Sequence, residues 1–381
     1  MKKIEVSVPF FDKKEKALLI KCLESGYISS VGNYVEKFQN KIKNYVKSNY
    51  CLACINGTSA LHIALKLIGI KKDDEVIVPS MTFVATVNAV IYLNASPIFM
   101  DCNRFLNLDE DKTIEFLKTQ TIYRNKISYN KKSKKPIKAI IIAHMYGKIS
   151  ALNKLIRLCK KKNIKIIEDA AESLGSFYNN SLHTGLLGDI GCLSFNGNKI
   201  ITTGGGGAII TNKKKYFLKA KNLINQSRVN SIDYIHNDVG YNYRISNLHS
   251  AIGLAQFTKL KKILKKKEKI YNFYIKKFKN FKKFTILRNP TGHKSNNWIN
   301  ILNILDPKIN YKKLIQNLSL EGIQCRPIWY PLTAQKHLKK FQKYKIENTI
   351  KLHKKYICLP SSSGLTSEEL NKIINCFKKY D

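Results

Sequence analysis

Hydrophobic positions fall into two rhythms along the first two thirds of the chain. Short β-branched runs read as buried strands: Glu75-Val-Ile-Val78, Lys138-Ala-Ile-Ile-Ile-Ala143, Lys165-Ile-Ile-Glu168, Cys192-Leu-Ser-Phe195 and Ala208-Ile-Ile-Thr211. Between them, residues 59–69, about 82 to 93 and 151–163 carry helical patterns, the first ended by Gly69. This alternation predicts an α/β fold whose large, mostly parallel sheet is covered on both faces. Ligands of such folds collect at the carboxyl ends of the strands. The basic stretch 125–137 reads as a surface insertion, and Leu248–Tyr274 as one long helix. Beyond about residue 275 the pattern changes to short strands, a helix near Tyr311–Glu321 and a terminal helix near Ser367–Lys379. The change predicts a large domain over 1–245 and a smaller C-terminal α/β domain over 246–381.

Twenty-five uncharged residues separate Glu75 from Asp101, enough to cross a bilayer. Pro79, Ser80, Asn88, Asn94 and Pro97 divide them into strand, turn, helix and strand, so no membrane association is expected. The 381 residues are 44% hydrophobic with 19 Gly and 9 Pro, which excludes collagen-like, mucin-like and mostly disordered chains. Lys and Arg number 67 against 26 Asp and Glu, a formal charge of +41. The lysine runs 160–162, 213–215 and 265–267 are scattered, which fits a solvated surface and leaves a polyanion-binding surface as the alternative. No helix-turn-helix or RNA-binding motif is visible, so no nucleic-acid partner is expected. Nine cysteines, an odd number, and a start without an apolar leader fit reduced thiols and a cytoplasmic protein. Cys51-Leu-Ala-Cys54 has no second pair at zinc spacing, and no metal is expected.

Three segments carry candidate chemistry. Gly57-Thr58-Ser59-Ala60 joins an apolar strand to a helix, either an anion site at a helix N-terminus or an ordinary cap. Glu168-Asp169 ends a strand, where a lone Asp would cap a helix. Ser194-Phe-Asn-Gly-Asn-Lys199 runs through Ile200-Ile-Thr-Thr203 into Gly204-Gly-Gly-Gly207, a poor setting for a merely solvated lysine. A phosphate-binding turn, an acid and a lysine, each at a strand end, are the parts that pyridoxal phosphate needs.

Seven ordered stretches resemble the DegT/StrS-type nucleotide-sugar aminotransferases, pyridoxal-phosphate enzymes of the aspartate aminotransferase fold (fold type I). They are Gly26–Gly32, Asn56-Gly-Thr-Ser-Ala-Leu61, Val78–Ala85, Glu168-Asp-Ala-Ala-Glu-Ser-Leu-Gly175, Ser194–Lys199, Gly240-Tyr-Asn-Tyr-Arg244 and Arg326-Pro327. The wording Asn196-Gly-Asn-Lys-Ile-Ile-Thr-Thr-Gly-Gly-Gly-Gly207 is similar to a LegC-like subgroup; the broader family carries Glu at the place of Gly205. The resemblance implies that Lys199 is the Schiff-base lysine and proton shuttle, and that Asp169 pairs with the pyridinium. Thr58, Ser59 and Ser194 would hold the phosphate, and Phe83 would stack on the ring. Asn242 would reach the cofactor of a neighbouring subunit, making a homodimer with shared active sites. Glu172 stands where relatives carry Gln or His, and ionised it would repel the ring's phenolic oxygen. His183, Arg326 and Trp329 are weaker substrate candidates: His183 could instead be a solvated loop residue, and the other two structural. Arg244 reads as an ion-pair residue.

The resemblance further implies amino transfer from an amino acid, L-glutamate, to C4 of a nucleotide-linked 4-keto-6-deoxy sugar. The LegC-like wording points to UDP-2-acetamido-2,6-dideoxy-hexos-4-ulose, in surface-glycan or nonulosonic-acid and bacillosamine-type sugar biosynthesis. The alternatives are a GDP-perosamine-type aminotransferase, a sugar dehydratase (which has His in place of the lysine) and a basic nucleic-acid-binding regulator.

Overall fold

A computed structural model describes residues 3–149, 152–230 and 232–381. In chain order the strands are β1 (Tyr50–Cys54), β2 (Glu75–Pro79), β3 (Ser96–Met100), β4 (Thr121–Arg124), β5 (Ile127–Asn130), β6 (Pro136–Ala143) and β7 (Lys165–Asp169). A short hairpin, β8 (Phe177–Tyr178) and β9 (Leu182–His183), precedes β10 (Ile190–Ser194) and β11 (Gly207–Thr211). Then come β12 (Phe284–Ile286), β13 (Asn300–Ile304), β14 (Arg326–Pro327), β15 (Lys343–Tyr344) and β16 (Tyr356–Leu359).

The large sheet has the order β1-β11-β10-β7-β6-β2-β3-β15. From β15 to β10 neighbouring strands are parallel, and β11 runs antiparallel to both β10 and β1. β2, β10 and β11 are buried along their whole length, as strands covered on both faces must be. The helix Gly57–Leu67 packs into one face with nine of its eleven residues buried. Its length matches the expected element, but it starts two residues earlier, capped by Asn56. The helix expected over 151–163 runs Asn153–Lys161; Ala151 lies outside the described residues.

Two expectations are corrected. The basic stretch 125–137 is no mere insertion: β4 and β5 form a hairpin, and β5 extends the sheet beside β6. Its lysines point to solvent, while Ser128 and Asn130 are buried, so the apolar signal of a strand is missing. The single helix over 248–274 is two, Asn247–Phe257 and Leu260–Phe278. Thr258 turns its hydroxyl back onto Ala255 O, and buried Lys259 pairs with Glu15 and Asp12. Buried Leu260 continues the apolar rhythm across the break.

The second sheet, β12-β13-β16-β14, is antiparallel. Helices Leu260–Phe278, Tyr311–Leu320 and Ser367–Lys378 pack on it through residues such as Tyr274, Phe278, Leu318 and Phe377. The two units exchange segments: Ile4 bridges to Ile323, and β15 returns to pair with β3. All nine cysteines are free and buried. Among the described residues no helix is long and apolar enough to cross a membrane, and no cluster of His, Cys, Asp or Glu has a metal-binding arrangement.

Candidate active site

The carboxyl ends of β1, β7 and β10 open onto one cavity of about 710 Å³, within the size range of small-molecule sites. At one end lies the start of the helix Gly57–Leu67. Asn56 Oδ1 accepts from Ser59 N at 2.7 Å. Gly57 and Thr58, first in the helix, have no intrahelical acceptor for their amides, and both line the cavity. The glycine turn closes over this end: a Cβ at Gly207 would stand 2.5 Å from the Asn56 backbone, so only glycine permits the approach. Ser194, ending β10, lines the same end.

Asp169 ends β7. Its Oδ2 accepts from Thr86 Oγ1 at 2.6 Å, and its Oδ1 accepts from Ala171 N at 3.2 Å. No helix begins there, so Asp169 is not a helix cap. Its neighbour Glu168 points the other way and is fully buried, within 3.0 Å of His144 Nε2, Tyr178 Oη and the amides of Gly185 and Gly188. Burial alone would raise the Glu168 carboxyl, but the hydrogen bonds from His144 and the two amides pull it below its ordinary value.

Lys199 follows a tight turn in which its N–H returns to Asn196 O. Its amine lies 3.5 Å from Glu172 Oε1 and 4.1 Å from the centre of the Trp298 ring. Glu172 Oε2 accepts from Tyr146 N at 2.6 Å. Burial pushes the Glu172 carboxyl up, with Lys199 opposing and Asp169 adding to the rise. A carboxyl held toward its protonated form is compatible with a phenolic oxygen nearby. Phe83, half-exposed, leans on Trp329, and Tyr146 stacks between Trp329 and Trp298, so a row of four aromatic rings ends at Lys199.

Thr58, Phe83, Asp169, Glu172, Ser194, Lys199, Arg326 and Trp329 all line this cavity; Ser59, Asn242 and His183 do not. Ser59 is buried as the third residue of the helix. Asn242 lies exposed in the segment before the helix Asn247–Phe257. His183 is neither solvated nor a cavity residue. It is 1% exposed, with Nε2 accepting from Gly175 N and Nδ1 against Thr184 O, and burial pushes it down to about 4. Arg244 has no ion-pair partner among the described residues, and its Nε is buried without an acceptor. Sequence reasoning missed Thr86, Tyr146 and Trp298. Thr86 alone left a trace, as a hydroxyl in a mostly apolar helical stretch.

Residues 9–378 match the DegT/DnrJ/EryC1/StrS aminotransferase family. The chain belongs to this family. It is a pyridoxal-phosphate-dependent nucleotide-sugar aminotransferase, and the enzyme class displaces the nucleic-acid-binding regulator that the charge left open. This aminotransferase is 34% identical over 382 residues to the GDP-perosamine synthase of Escherichia coli O157:H7, covering 100% of this chain and 99% of the relative. It is 29% identical over 356 residues to the UDP-4-amino-4,6-dideoxy-N-acetyl-beta-L-altrosamine transaminase of Campylobacter jejuni subsp. jejuni serotype O:23/36 (strain 81-176), covering 92% and 90%. Helicobacter pylori PseC, an aminotransferase of pseudaminic acid biosynthesis, shares the fold at a TM-score of 0.89 and 23% identity, over 99% of each chain. The cavity of this aminotransferase fits the family's cofactor. Unpaired helix amides suit a phosphate, a buried carboxylate suits a pyridinium nitrogen, and an amine suits the aldehyde carbon.

Proposed function

We propose that this aminotransferase moves an amino group from L-glutamate to C4 of UDP-2-acetamido-2,6-dideoxy-hexos-4-ulose, a step in building surface or nonulosonic-acid and bacillosamine-type sugars. The observation that carries the reading is the Lys199 amine facing the same cavity as Asp169 and the helix start at Gly57–Thr58. Pyridoxal phosphate supplies an aldehyde that takes up the amino group and a ring that draws electrons from the reacting carbon. Thr58 and Ser194, which line the cavity, would hold its phosphate, whereas buried Ser59 stands outside it; Asp169 would keep the proton on the ring nitrogen. Phe83 covers one ring face. Lys199 is the residue whose amine would take up and return a proton at the reacting carbon, first with the donor and then with the keto sugar. Glu172 lies beside Lys199 and donates or accepts a hydrogen bond according to its protonation. Arg326, exposed, and Trp329, whose ring N–H is buried without an acceptor, offer donors to the substrate.

We further propose a homodimer in which Asn242 completes the neighbouring site. Five large apolar side chains just before it, Val229, Ile232, Tyr234, Ile235 and Val239, are each at least half exposed, a cluster that favours a protein partner. The cytoplasm is the compartment that suits nine reduced thiols.

The UDP-linked acetamido sugar is the reading that the LegC-like wording of the four-glycine turn supports, and Gly205 of that turn lines the cavity. A GDP-linked 4-keto-6-deoxy sugar is the second reading, favoured by the full-length similarity to the GDP-perosamine synthase. Assay of the purified protein against UDP-, GDP- and dTDP-linked 4-keto-6-deoxy sugars with L-glutamate decides between them. Turnover of the UDP-acetamido sugar with the highest kcat/KM supports the first reading, and higher kcat/KM for the GDP sugar replaces it.

A further inference from the structure

We propose that Trp298 is a positioning residue, whose indole face gives the Lys199 amine its resting place while that amine is not engaged with the cofactor. The inference rests on the reading of Lys199 as the cofactor's lysine.

Among the described residues the amine lies against the Trp298 ring at 4.1 Å and Glu172 Oε1 at 3.5 Å. An indole face attracts an ammonium through the ring quadrupole, most strongly where water is thin, and the Lys199 side chain is only 14% exposed. Trp298 is itself fixed from several sides. Its ring N–H donates to Asn198 O at 2.7 Å, the residue just before Lys199. Its main-chain N–H donates to Asn296 Oδ1 at 2.9 Å. The Asn296 amide in turn holds the carbonyls of Glu172 and Leu174, each at 2.9 Å. The ring stacks on Tyr146, whose amide grips Glu172. The two groups that touch the amine are therefore tied to each other and to the turn that carries it.

Behind them lies Lys267, buried inside the helix Leu260–Phe278. Its amine donates to Trp298 O at 2.8 Å and Ser361 O at 2.6 Å. Among the described residues it has no carboxylate partner, and burial pushes it down to about 7. It pins the backbone of Trp298 from the side away from the cavity.

A lysine freed from its cofactor bond has four rotatable carbons and a cavity to wander in. Proton transfer needs its nitrogen returned to one place. The indole face supplies that place without accepting the proton, since its ring nitrogen is only a donor and is already committed to Asn198.

The test uses the full-length holoenzyme with and without excess L-glutamate, labelled in trace amounts by acetic anhydride. Mass spectrometry follows label at Lys199, at exposed Lys351 and at buried Lys148. In the wild type, Lys199 label should appear only after glutamate frees the amine. Equal label without glutamate would count against Lys199 as the cofactor's lysine and would leave the comparison of variants standing. With glutamate, Trp298→Leu should label Lys199 roughly three- to tenfold faster, while Trp298→Phe, which keeps a ring face, stays within about twofold of wild type. Lys267→Met should raise the Lys199 rate about twofold by loosening the Trp298 backbone, and it carries the test if the leucine variant does not fold. The proposal is overturned if Trp298→Leu matches wild type, or if the phenylalanine variant behaves as the leucine one. An equal rise at Lys148 means general loosening and overturns it as well.

Discussion

Thr86 Oγ1 donates to Asp169 Oδ2 at 2.6 Å, and Thr82 Oγ1 stands 2.9 Å from Thr86 Oγ1 in the same buried chain. The threonine pair comes from the turn and helix after β2, whereas Asp169 ends β7 on the far side of β6, so segments from two strands that are not adjacent orient one carboxylate. Asp169→Asn keeps the shape and removes the charge. It should lower kcat by about three orders of magnitude, equivalent to about 4 kcal/mol, with the fold intact by circular dichroism. Thr86→Val, which removes only the orienting hydroxyl, should cost about tenfold in kcat. Near-normal turnover of Asp169→Asn would return the residue to a structural role.

Lys199→Ala should bind cofactor without a covalent link and fail to turn over. Borohydride reduction of the wild type should fix the cofactor to the peptide that contains Lys199, and mass spectrometry of the digest reads the site directly. Label on any other peptide contradicts the assignment.

The shared-site reading gives a quantitative outcome. Asn242→Ala and Lys199→Ala should each be poorly active alone. After unfolding them together and reassembling, about half the dimers are mixed and half the sites in those are intact, so roughly a quarter of wild-type activity should return. No recovery, with exchange confirmed by native mass, would mean that both residues serve the same chain's site.

His183 supplies a pH prediction. Burial lowers its pKa from 6.5 to about 4 in the folded state. The unfolded chain therefore binds a proton before the folded chain does, and stability falls as pH drops. The loss begins near pH 6.5, is complete below about pH 4, and amounts to roughly 3 kcal/mol. Glu168, whose folded pKa is lowered, gives stability above its unfolded value near 4.3 that is lost at still more acid pH. His183→Gln should lower Tm at pH 7, flatten the fall in Tm between pH 6.5 and 4, and leave KM for both substrates unchanged. A changed KM would restore His183 as a substrate contact.

The residues at the carboxyl ends of β1, β7 and β10 were legible because each interrupts a buried apolar run with a group that such a run has no reason to carry. Asp169, Ser194 and Lys199 are of this kind, and the strands leading to them could be read within about two residues. Trp298 was not legible. It enters from beyond the helix Leu260–Phe278, and nothing in Asn296-Asn-Trp298 distinguishes a cavity wall from core. The hairpin β4–β5 was hidden for the opposite reason, since its exposed lysines and buried Ser128 and Asn130 carry no apolar alternation. The break at Thr258 escaped because Phe257, Leu260 and Leu264, packed in one apolar cluster, keep steps of three and four residues through it. His183 misled because polar neighbours imply solvent, whereas the β8–β9 hairpin folds it inward against Tyr45 and Phe177.

The chain has two tryptophans, Trp298 and Trp329, and both line the cavity. Indole fluorescence of the folded protein therefore originates at the site alone. Cofactor binding should quench it through energy transfer to the pyridine chromophore, and a nucleotide sugar lying against Trp329 should shift its emission. Trp329→Phe leaves Trp298 as the sole emitter, a ring 2% exposed whose blue emission should move to the red only when the chain unfolds. One optical signal can thus separate occupancy of the site from loss of the fold, with no label added to the protein.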